Sequence, residues 1–141
     1  MKNYFFDTDV ILDISIAREM DIKDSVKIIN FIEIGPHKGF TSSIIFTNIY
    51  YIQSKLIGHE VSIKFLKNLR LLLTVLNVDD SIIHKALESE FSDFEDAIQY
   101  FTAKENNMDC IITRNVNDFK KSVIPVYTPT ELLKIIEMQK Q

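Results

Sequence analysis

Residues 92–119, SDFEDAIQYFTAKENNMDCIITRNVNDF, carry the clearest structural signals in the chain. Ser92 and Glu95 have the S-x-x-E spacing of a capping box, in which each side chain bonds to the backbone of the other residue, so a helix is expected to begin at Ser92. Apolar residues then recur on one side of this helix, at Phe94, Ala97, Ile98 and Phe101. This period predicts a helix that packs one face against a core.

Three acidic residues stand at the start of the predicted helix. Asp93 and Glu95 are explained by the helix dipole, which favours negative charge in a first turn. Asp96 is explained less well, because it lies further inside the helix, where aspartate has a poor helix propensity. Asp96 is therefore a candidate functional residue.

A short apolar run at residues 110–113 is typical of a strand buried on both faces of a parallel sheet. It opens into a polar turn that contains Arg114, Asn115 and Asp118. Ligands bind at the carboxyl ends of strands in open α/β sheets, so this turn is a candidate site. The lone cysteine, Cys110, is expected to be a small core residue and not a nucleophile.

The composition is that of an ordinary soluble protein, with 46% hydrophobic and 26% charged residues. A single domain over residues 1–141 is expected from this length. The sequence has neither a long apolar run nor a signal-peptide pattern, so a cytoplasmic protein without a membrane span is expected. One cysteine and three separated histidines argue against a zinc site. The net charge of −4 argues against a broad basic face for nucleic acid, but it is compatible with a nuclease that holds metal with carboxylates.

Strand and helix patterns alternate along the rest of the chain. Strands are expected at residues 4–6, 39–42, 74–78 and 124–127, and helices at residues 24–34, 43–57, 59–73 and 79–89. Ser43 is expected to cap the helix that Gly58 ends, and Thr128 with Glu131 to form a second capping box. This alternation predicts an α/β fold with a parallel sheet covered on both faces.

Two helices have faces that allow more than one interpretation. Asn48 shares an apolar face, so its amide has to find partners. It either bonds to neighbouring backbone or Ser/Thr groups, or it points into a cluster of acids. On the next helix, Lys64, Lys67 and Arg70 form a basic stripe. The stripe is either a solvated face or a guide for a phosphate backbone.

Five acids fall at predicted strand ends or adjoining helix starts: Asp7, Asp9, Asp93, Asp96 and Asp118. Because the strand ends form one edge of a sheet, these side chains are expected to converge there. Clustered carboxylates repel one another unless a cation joins them. Oxygen ligands without histidine or thiolate favour Mg²⁺ or Mn²⁺, which can polarise a phosphodiester and activate water.

Four segments resemble, in order, the motifs of PIN domains, the ribonuclease fold of many bacterial toxin–antitoxin pairs. The segments are FFDTDVILD at residues 5–13, TSSIIFTNIYYI at 41–52, DFEDAIQYFTA at 93–103 and IITRNVNDF at 111–119. The resemblance covers essentially the whole chain. It implies a three-layer α/β/α sandwich with a short central parallel sheet, metal-dependent RNA cleavage, frequent homodimers and often a small antitoxin partner.

The resemblance also implies a set of metal ligands. The first family acid falls on Asp7, and the helix acid that precedes alanine falls on Asp96. Asp118 supplies the acid that follows the last motif strand. These three residues would hold Mg²⁺ or Mn²⁺, with Asp93 as a further ligand.

Position 48 departs from the pattern of the family, many of whose members have glutamate there. Asn48 brings no charge, and Asp9 or Asp93 could compensate. By the same resemblance, Asn48 and Asn115 would orient water or phosphate, and Thr113 matches a family hydroxyl.

These assignments predict a metal-dependent PIN-type endoribonuclease that is the toxin-like member of an antitoxin pair. The first alternative is a PIN-like module that binds RNA or protein without cleaving; Asn48→Glu should restore cleavage in an impaired enzyme but not in a pure binder. The second is an aspartyl-phosphate phosphatase. Residues DTDVILD resemble the D-x-D start of haloacid-dehalogenase-like enzymes but lack the glycine after the second acid, so only a covalent phosphate on Asp7 would support this alternative.

Overall fold

The computed structural model describes residues 2–16 and 22–139. The strands are β1 (Asn3–Phe6), β2 (Lys38–Ser42), β3 (Leu73–Leu76), β4 (Cys110–Ile112) and β5 (Val126–Tyr127). The helices are α1 (Thr8–Ile16), α2 (Ile22–Ile34), α3 (Ser43–Ile57), α4 (His59–Leu72), α5 (Asp80–Leu87), α6 (Phe94–Glu105) and α7 (Pro129–Gln139), and a 3₁₀ turn lies at Val116–Phe119. Within those two described ranges, no helix combines the length and the apolar character needed to cross a bilayer.

The five strands form one parallel sheet in the order β3-β2-β1-β4-β5. In the central pair, Phe6 of β1 lies opposite Ile112 of β4. The Asp7 N–H continues this pairing by donating to the Ile112 carbonyl at 3.0 Å. The residues that follow β1 and β4 are therefore neighbours at the carboxyl edge of the sheet.

The core explains why the central strands are apolar on both faces. Phe5, Phe6, Ile111 and Ile112 are fully buried, as expected where helices cover both sides of a parallel sheet. At Gly39 of β2, a Cβ atom would lie 2.4 Å from the end of the Leu73 side chain, so any larger residue would force that side chain to move. The predicted α/β class is confirmed.

Two helix starts lie one residue from the predicted caps. The cap of α3 is Ser42, whose hydroxyl accepts the Ile45 N–H at 3.1 Å, and not Ser43. The cap of α6 is Asp93, whose Oδ1 accepts the Asp96 N–H at 2.9 Å, so the predicted start at Ser92 is wrong. In each helix, the predicted cap and the observed cap are both good capping residues three positions before a free backbone N–H. The local sequence therefore cannot decide between them.

The predicted core face of α6 is correct except at its first residue. Phe94 becomes the first helical residue and is 48% exposed, so its predicted inward position is wrong. Ala97 and Ile98 are buried as predicted, and they pack against Ile82 and Ala86 of α5.

Other local predictions are confirmed. Gly58 ends α3 with a φ of 86°, a conformation that glycine adopts without strain. Thr128 and Glu131 form a reciprocal capping box with two bonds of 3.1 Å at the start of α7. Cys110 is buried, and burial with the nearby Asp109 charge raises the pKa of its thiol to about 12, so it is a core residue.

Candidate active site

Asp7 stands at the carboxyl edge of the sheet, directly between β1 and α1. Its Oδ1 accepts the Thr8 N–H at 2.9 Å, and its Oδ2 accepts the Thr113 hydroxyl at 2.9 Å. Burial raises the pKa of Asp7 to about 7, and the Asp9 charge adds to the rise, while the two hydrogen bonds oppose it. Near neutral pH this carboxyl is therefore divided between its charged and neutral forms.

Asp9 ties the first turn of α1 to the turn after β4. Its carboxylate accepts the Arg114 N–H at 3.1 Å, the Thr113 hydroxyl at 3.2 Å and the Asn115 side-chain amide at 2.9 Å. Burial raises the pKa of Asp9, and the bond from the Arg114 backbone opposes the rise. With this many donors around it, Asp9 holds the turn in place.

The Thr113 hydroxyl lies between two of these acids. Thr113 is fully buried, and its oxygen accepts the Asn115 N–H at 3.2 Å. A hydroxyl has one proton to donate, so it serves either Asp7 or Asp9 at any moment. When Asp7 is protonated it can donate to Thr113, which then donates to Asp9, so a chain of two hydrogen bonds joins both carboxyls.

Arg114 forms an ion pair with a residue that the sequence did not single out. Its Nε lies 3.0 Å from Oδ2 of Asp13, which is fully buried on α1. The pair fixes the turn after β4 against α1. The guanidinium charge pairs with Asp13 and also acts to lower the pKa of Asp9, in opposition to burial.

Asp96 lies at the centre of the acids. Burial raises the pKa of Asp96 to about 7. The further contributions come, in decreasing order, from Asp93, Asp118, Glu95 and Asp9. Since Asp96 also contributes to the raised pKa of Asp7, acids from α1, α6 and the 3₁₀ turn act on one another at this edge.

The remaining predicted site residues occupy different positions around this centre. Asp93 caps α6 with one oxygen, which leaves its second oxygen for other contacts. Asp118 is exposed on the 3₁₀ turn, beside a depression of about 300 Å³ that Lys120 and Lys121 also line. Asn115 donates to Asp9 and thus orients a carboxylate.

The structure decides between the two sets of partners predicted for the Asn48 amide. Its side-chain amide donates to Oε1 of Glu95 at 2.7 Å, so it points to an acid and not to neighbouring backbone. The sequence had explained Glu95 by the helix dipole and by a capping box with Ser92. No local pattern could have found this contact, because the two residues are 47 positions apart.

A second contact between the same two helices was also missed. The Ser42 hydroxyl donates to Oε1 of Gln99 at 2.7 Å, and Gln99 is 1% exposed. Its Nε2 is a buried donor with no partner in the part of the chain that the structure describes. In the sequence, the available signal was the position of Gln99 about one turn after Asp96. A glutamine that is buried at such a position has to find hydrogen-bond partners.

The donor set can be tested against a divalent metal. In residues 2–16 and 22–139, no group of three or more Asp, Glu, His or Cys side chains is arranged so that it could hold a metal ion. The chemistry of the set nevertheless fits a hard cation, because every donor is oxygen and mutual repulsion helps to raise two pKa values to about 7. A cation among these carboxylates would remove that repulsion.

Solved structures identify the class of this fold. The chain superposes on the VapBC-1 structure from nontypeable Haemophilus influenzae with a TM-score of 0.69 at 17% identity, over 91% of this chain and 98% of the other. VapBC2 from Rickettsia felis, bound to a promoter DNA fragment, gives 0.68 at 14% identity, over 89% and 96%. VapC20 from Mycobacterium tuberculosis, a toxin that cleaves the sarcin-ricin loop, gives 0.62 at 15% identity, over 77% and 86%. The fold is therefore the PIN-like α/β fold of VapC proteins.

Sequence comparison then gives the family. The sequence model of the PIN domain matches residues 3–117. The chain is also 30% identical over 135 residues to ribonuclease VapC1 of Aquifex aeolicus, with 92% of both chains covered. The chain belongs to the PIN domain family, and the resemblance found in its four segments is confirmed.

Proposed function

We propose that this chain is an endoribonuclease of PIN type that uses Mg²⁺ or Mn²⁺, and that it is the toxin component of a toxin–antitoxin pair. One observation carries the proposal: burial and neighbouring acids raise the pKa values of Asp7 and Asp96 to about 7 at one edge of the sheet. Strongly perturbed carboxyls in such a position are typical of sites that perform chemistry. The relative named as a ribonuclease supports RNA as the substrate.

Asp7, Asp96 and Asp118 would hold the cation. Asp93 could add its second carboxylate oxygen, which takes no part in the capping bond. When bound, a divalent cation would lower the pKa of water and polarise the phosphodiester. A bound cation would also favour the charged forms of Asp7 and Asp96, whose pKa values are raised to about 7 without it.

The neighbouring polar residues keep these carboxylates in position. Thr113 directs its hydroxyl to Oδ2 of Asp7 and Asn115 directs its amide to Asp9. The buried pair of Asp13 and Arg114 anchors the turn that carries both. A site held in this way needs little rearrangement when substrate arrives, which favours catalysis.

The proposal includes a protein partner and a homodimer in the cytoplasm. Toxin–antitoxin complexes among the structural neighbours support an antitoxin. On the surface, α3 and the start of α4 expose large apolar side chains: Tyr51, Ile52, Leu56, Ile57 and Val61. Exposed apolar side chains on neighbouring helices support contact with another chain.

RNA cleavage by the purified protein with added Mn²⁺ tests the proposal. Asp7→Asn should reduce the rate by roughly 100-fold or more, because it removes a charge at the reacting site. Asp109→Asn is the matched control, since it makes the same substitution at the opposite edge of the sheet, and it should keep the wild-type rate. Equal rates for wild type and Asp7→Asn would remove the assignment, and no cleavage by the wild type would favour the binding module.

A further inference from the structure

A depression of about 300 Å³ opens beside Asp118 at the carboxyl edge of the sheet. One of its walls is the segment just before α6, which contributes Glu90 and Ser92. The other wall is the 3₁₀ turn after β4 with the residues that follow it, which contribute Lys120 and Lys121. The depression therefore brings two basic side chains next to a proposed metal ligand.

Both walls of this depression are fixed to the core. On one side, Phe91 packs on Tyr100, with their ring centroids 5.0 Å apart. On the other side, the Tyr100 hydroxyl accepts the N–H of Val123 at 3.3 Å, and Phe119, which directly precedes the two lysines, is 2% exposed. One buried tyrosine thus ties the two walls together, and the lysines extend from a backbone that is held in place.

The basic groups in the depression are available to a ligand. Lys121 lies 3.2 Å from Glu90, whose side chain is 88% exposed, and an exposed pair of this kind contributes little energy and can exchange its partner. Among the described residues, the ammonium of Lys120 has no ion-pair or hydrogen-bond partner. Ser92 and Asn117 add an exposed hydroxyl and an exposed amide. Ammonium, hydroxyl and amide groups are the donors that contact phosphate oxygens of nucleic acids.

We propose that this depression holds a phosphate of the RNA strand next to the one that is cut, with Lys120 as the direct contact and Lys121 as a second cation after it leaves Glu90. The proposal rests on the proposed function, in which Asp118 helps to hold the cation at the cut phosphodiester. A strand carries further phosphates on either side of that group, so a cleft beside Asp118 receives a neighbour. Because the net charge of the chain is −4, local cations have to offset its repulsion of an anionic strand.

Fluorescence anisotropy of a labelled single-stranded RNA, with the full chain and a chelator, measures binding without cleavage. Lys120→Gln should lower the affinity about fivefold in about 0.1 M salt and reduce the slope of log affinity against log salt by about 0.7, as expected for one phosphate contact of a single strand. Lys120→Arg keeps the charge and should bind as the wild type does.

Lys104→Gln is the matched control for net charge. It removes the same charge from the far end of α6, about 15 Å along the helix axis from the depression, and should change the affinity little. Equal losses in Lys104→Gln and Lys120→Gln would reduce the effect to net charge and overturn the phosphate site. A loss in Lys120→Arg as large as in Lys120→Gln would overturn it as well.

The role of Lys121 has a test of the opposite sign. Glu90→Gln frees Lys121 and removes an acid from the depression, so RNA affinity should rise by up to about fivefold, the value of one phosphate contact. Glu105→Gln is the matched control, because it breaks the exposed pair with Lys85, and it should raise the affinity less. Equal gains in the two variants would overturn the role of Lys121.

Cleavage of the same RNA with Mn²⁺ separates this proposal from the proposed function. Lys120→Gln should raise KM about fivefold with kcat nearly unchanged, because Lys120 holds the strand away from the reacting bonds. If the wild type cleaves RNA and Lys120→Gln keeps its KM and affinity, the phosphate site is wrong and the proposed function stands. If the wild type binds RNA through Lys120 without cleaving it, the proposed function is wrong and the phosphate site stands in a binding module.

Discussion

The two edges of the same sheet use aspartate in opposite ways. At the amino edge, Asp109 exchanges two hydrogen bonds with the backbone of Asn3, of 2.7 and 2.8 Å. At the carboxyl edge, Asp7 and Asp96 lie among other acids and have pKa values raised to about 7. One edge satisfies its carboxylate with backbone donors, and the other gathers carboxylates that repel one another.

The basic groups at the two edges also differ in what they contact. At the amino edge, the Lys2 N–H donates to His37 at 3.0 Å, and burial lowers the pKa of His37, which stacks on Phe31. At the carboxyl edge, Arg114 is directed to the buried Asp13. Repulsion that a protein leaves uncompensated costs stability, so it marks a place where selection favours function over stability.

The largest expected effect of a single substitution on stability is at Arg114. Arg114→Ala removes the ion pair with the buried Asp13, so the free energy of unfolding should fall by roughly 3 kcal/mol. Urea denaturation measures this loss. The control is Lys85→Ala, which breaks the exposed pair of Lys85 and Glu105 and should cost less than about 1 kcal/mol. Similar losses in both variants would show that the carboxyl edge does not depend on this pair.

The pH dependence of stability should reveal the repulsion directly. In metal-free protein, native Asp7 keeps its proton up to about pH 7, whereas the unfolded chain releases it near 3.8. The native state therefore binds more protons between these values, and the contribution of Asp7 to stability falls as pH rises through them. Relative to the wild type, Asp7→Asn should gain on the order of 3 kcal/mol between pH 4 and 7.

Urea denaturation with a chelator at several pH values measures this difference. Added Mn²⁺ should stabilise the wild type most at the upper end of the range, where the carboxylates are charged. A wild type that gains stability relative to Asp7→Asn as pH rises would contradict the raised pKa.

A smaller effect is expected at the hydroxyl shared by Asp7 and Asp9. Thr113→Val keeps the shape of the side chain but removes the hydrogen bonds, so stability should fall by about 1–2 kcal/mol and cleavage by about tenfold. Thr113→Ser should restore both quantities. Loss of cleavage in the serine variant as well would assign the effect to packing.

The smallest effect belongs to the amino edge. Asp109→Ala removes one hydrogen bond to the Asn3 backbone, so the free energy of unfolding should fall by about 1 kcal/mol. Its Mn²⁺ affinity should equal that of the wild type in a calorimetric titration. A weakened affinity would mean that the two edges are coupled and that their contrast is not functional.

The fold was predictable because its signals are local. The apolar runs of β1 and β4, the stop at Gly58 and the capping box of α7 each depend on a few neighbouring residues. The cap of α6 was misplaced because Ser92 and Asp93 satisfy the same local rule. Phe94 is therefore the first helical residue, where its side chain is exposed, while Ala97 and Ile98 of the same predicted face are buried.

The site was predictable only in its acids. Asp7, Asp96 and Asp118 could be selected because they follow strands or begin a helix, and their metal-binding roles stay predictions. The pairs Asn48 with Glu95, Ser42 with Gln99 and Asp13 with Arg114 join residues far apart in the chain. Such pairs depend on how helices pack across the sheet, which periodicity does not specify.

Paramagnetic line broadening by Mn²⁺ tests most directly whether acids distant in the chain grip a single cation. In a nitrogen–proton NMR spectrum, amide signals of the residues just after β1 and β4 and at the start of α6 should broaden first and saturate near one equivalent. Signals around Asn3 and Asp109 should stay sharp. Broadening that is spread evenly over the surface, or that begins at the amino edge, would contradict the account.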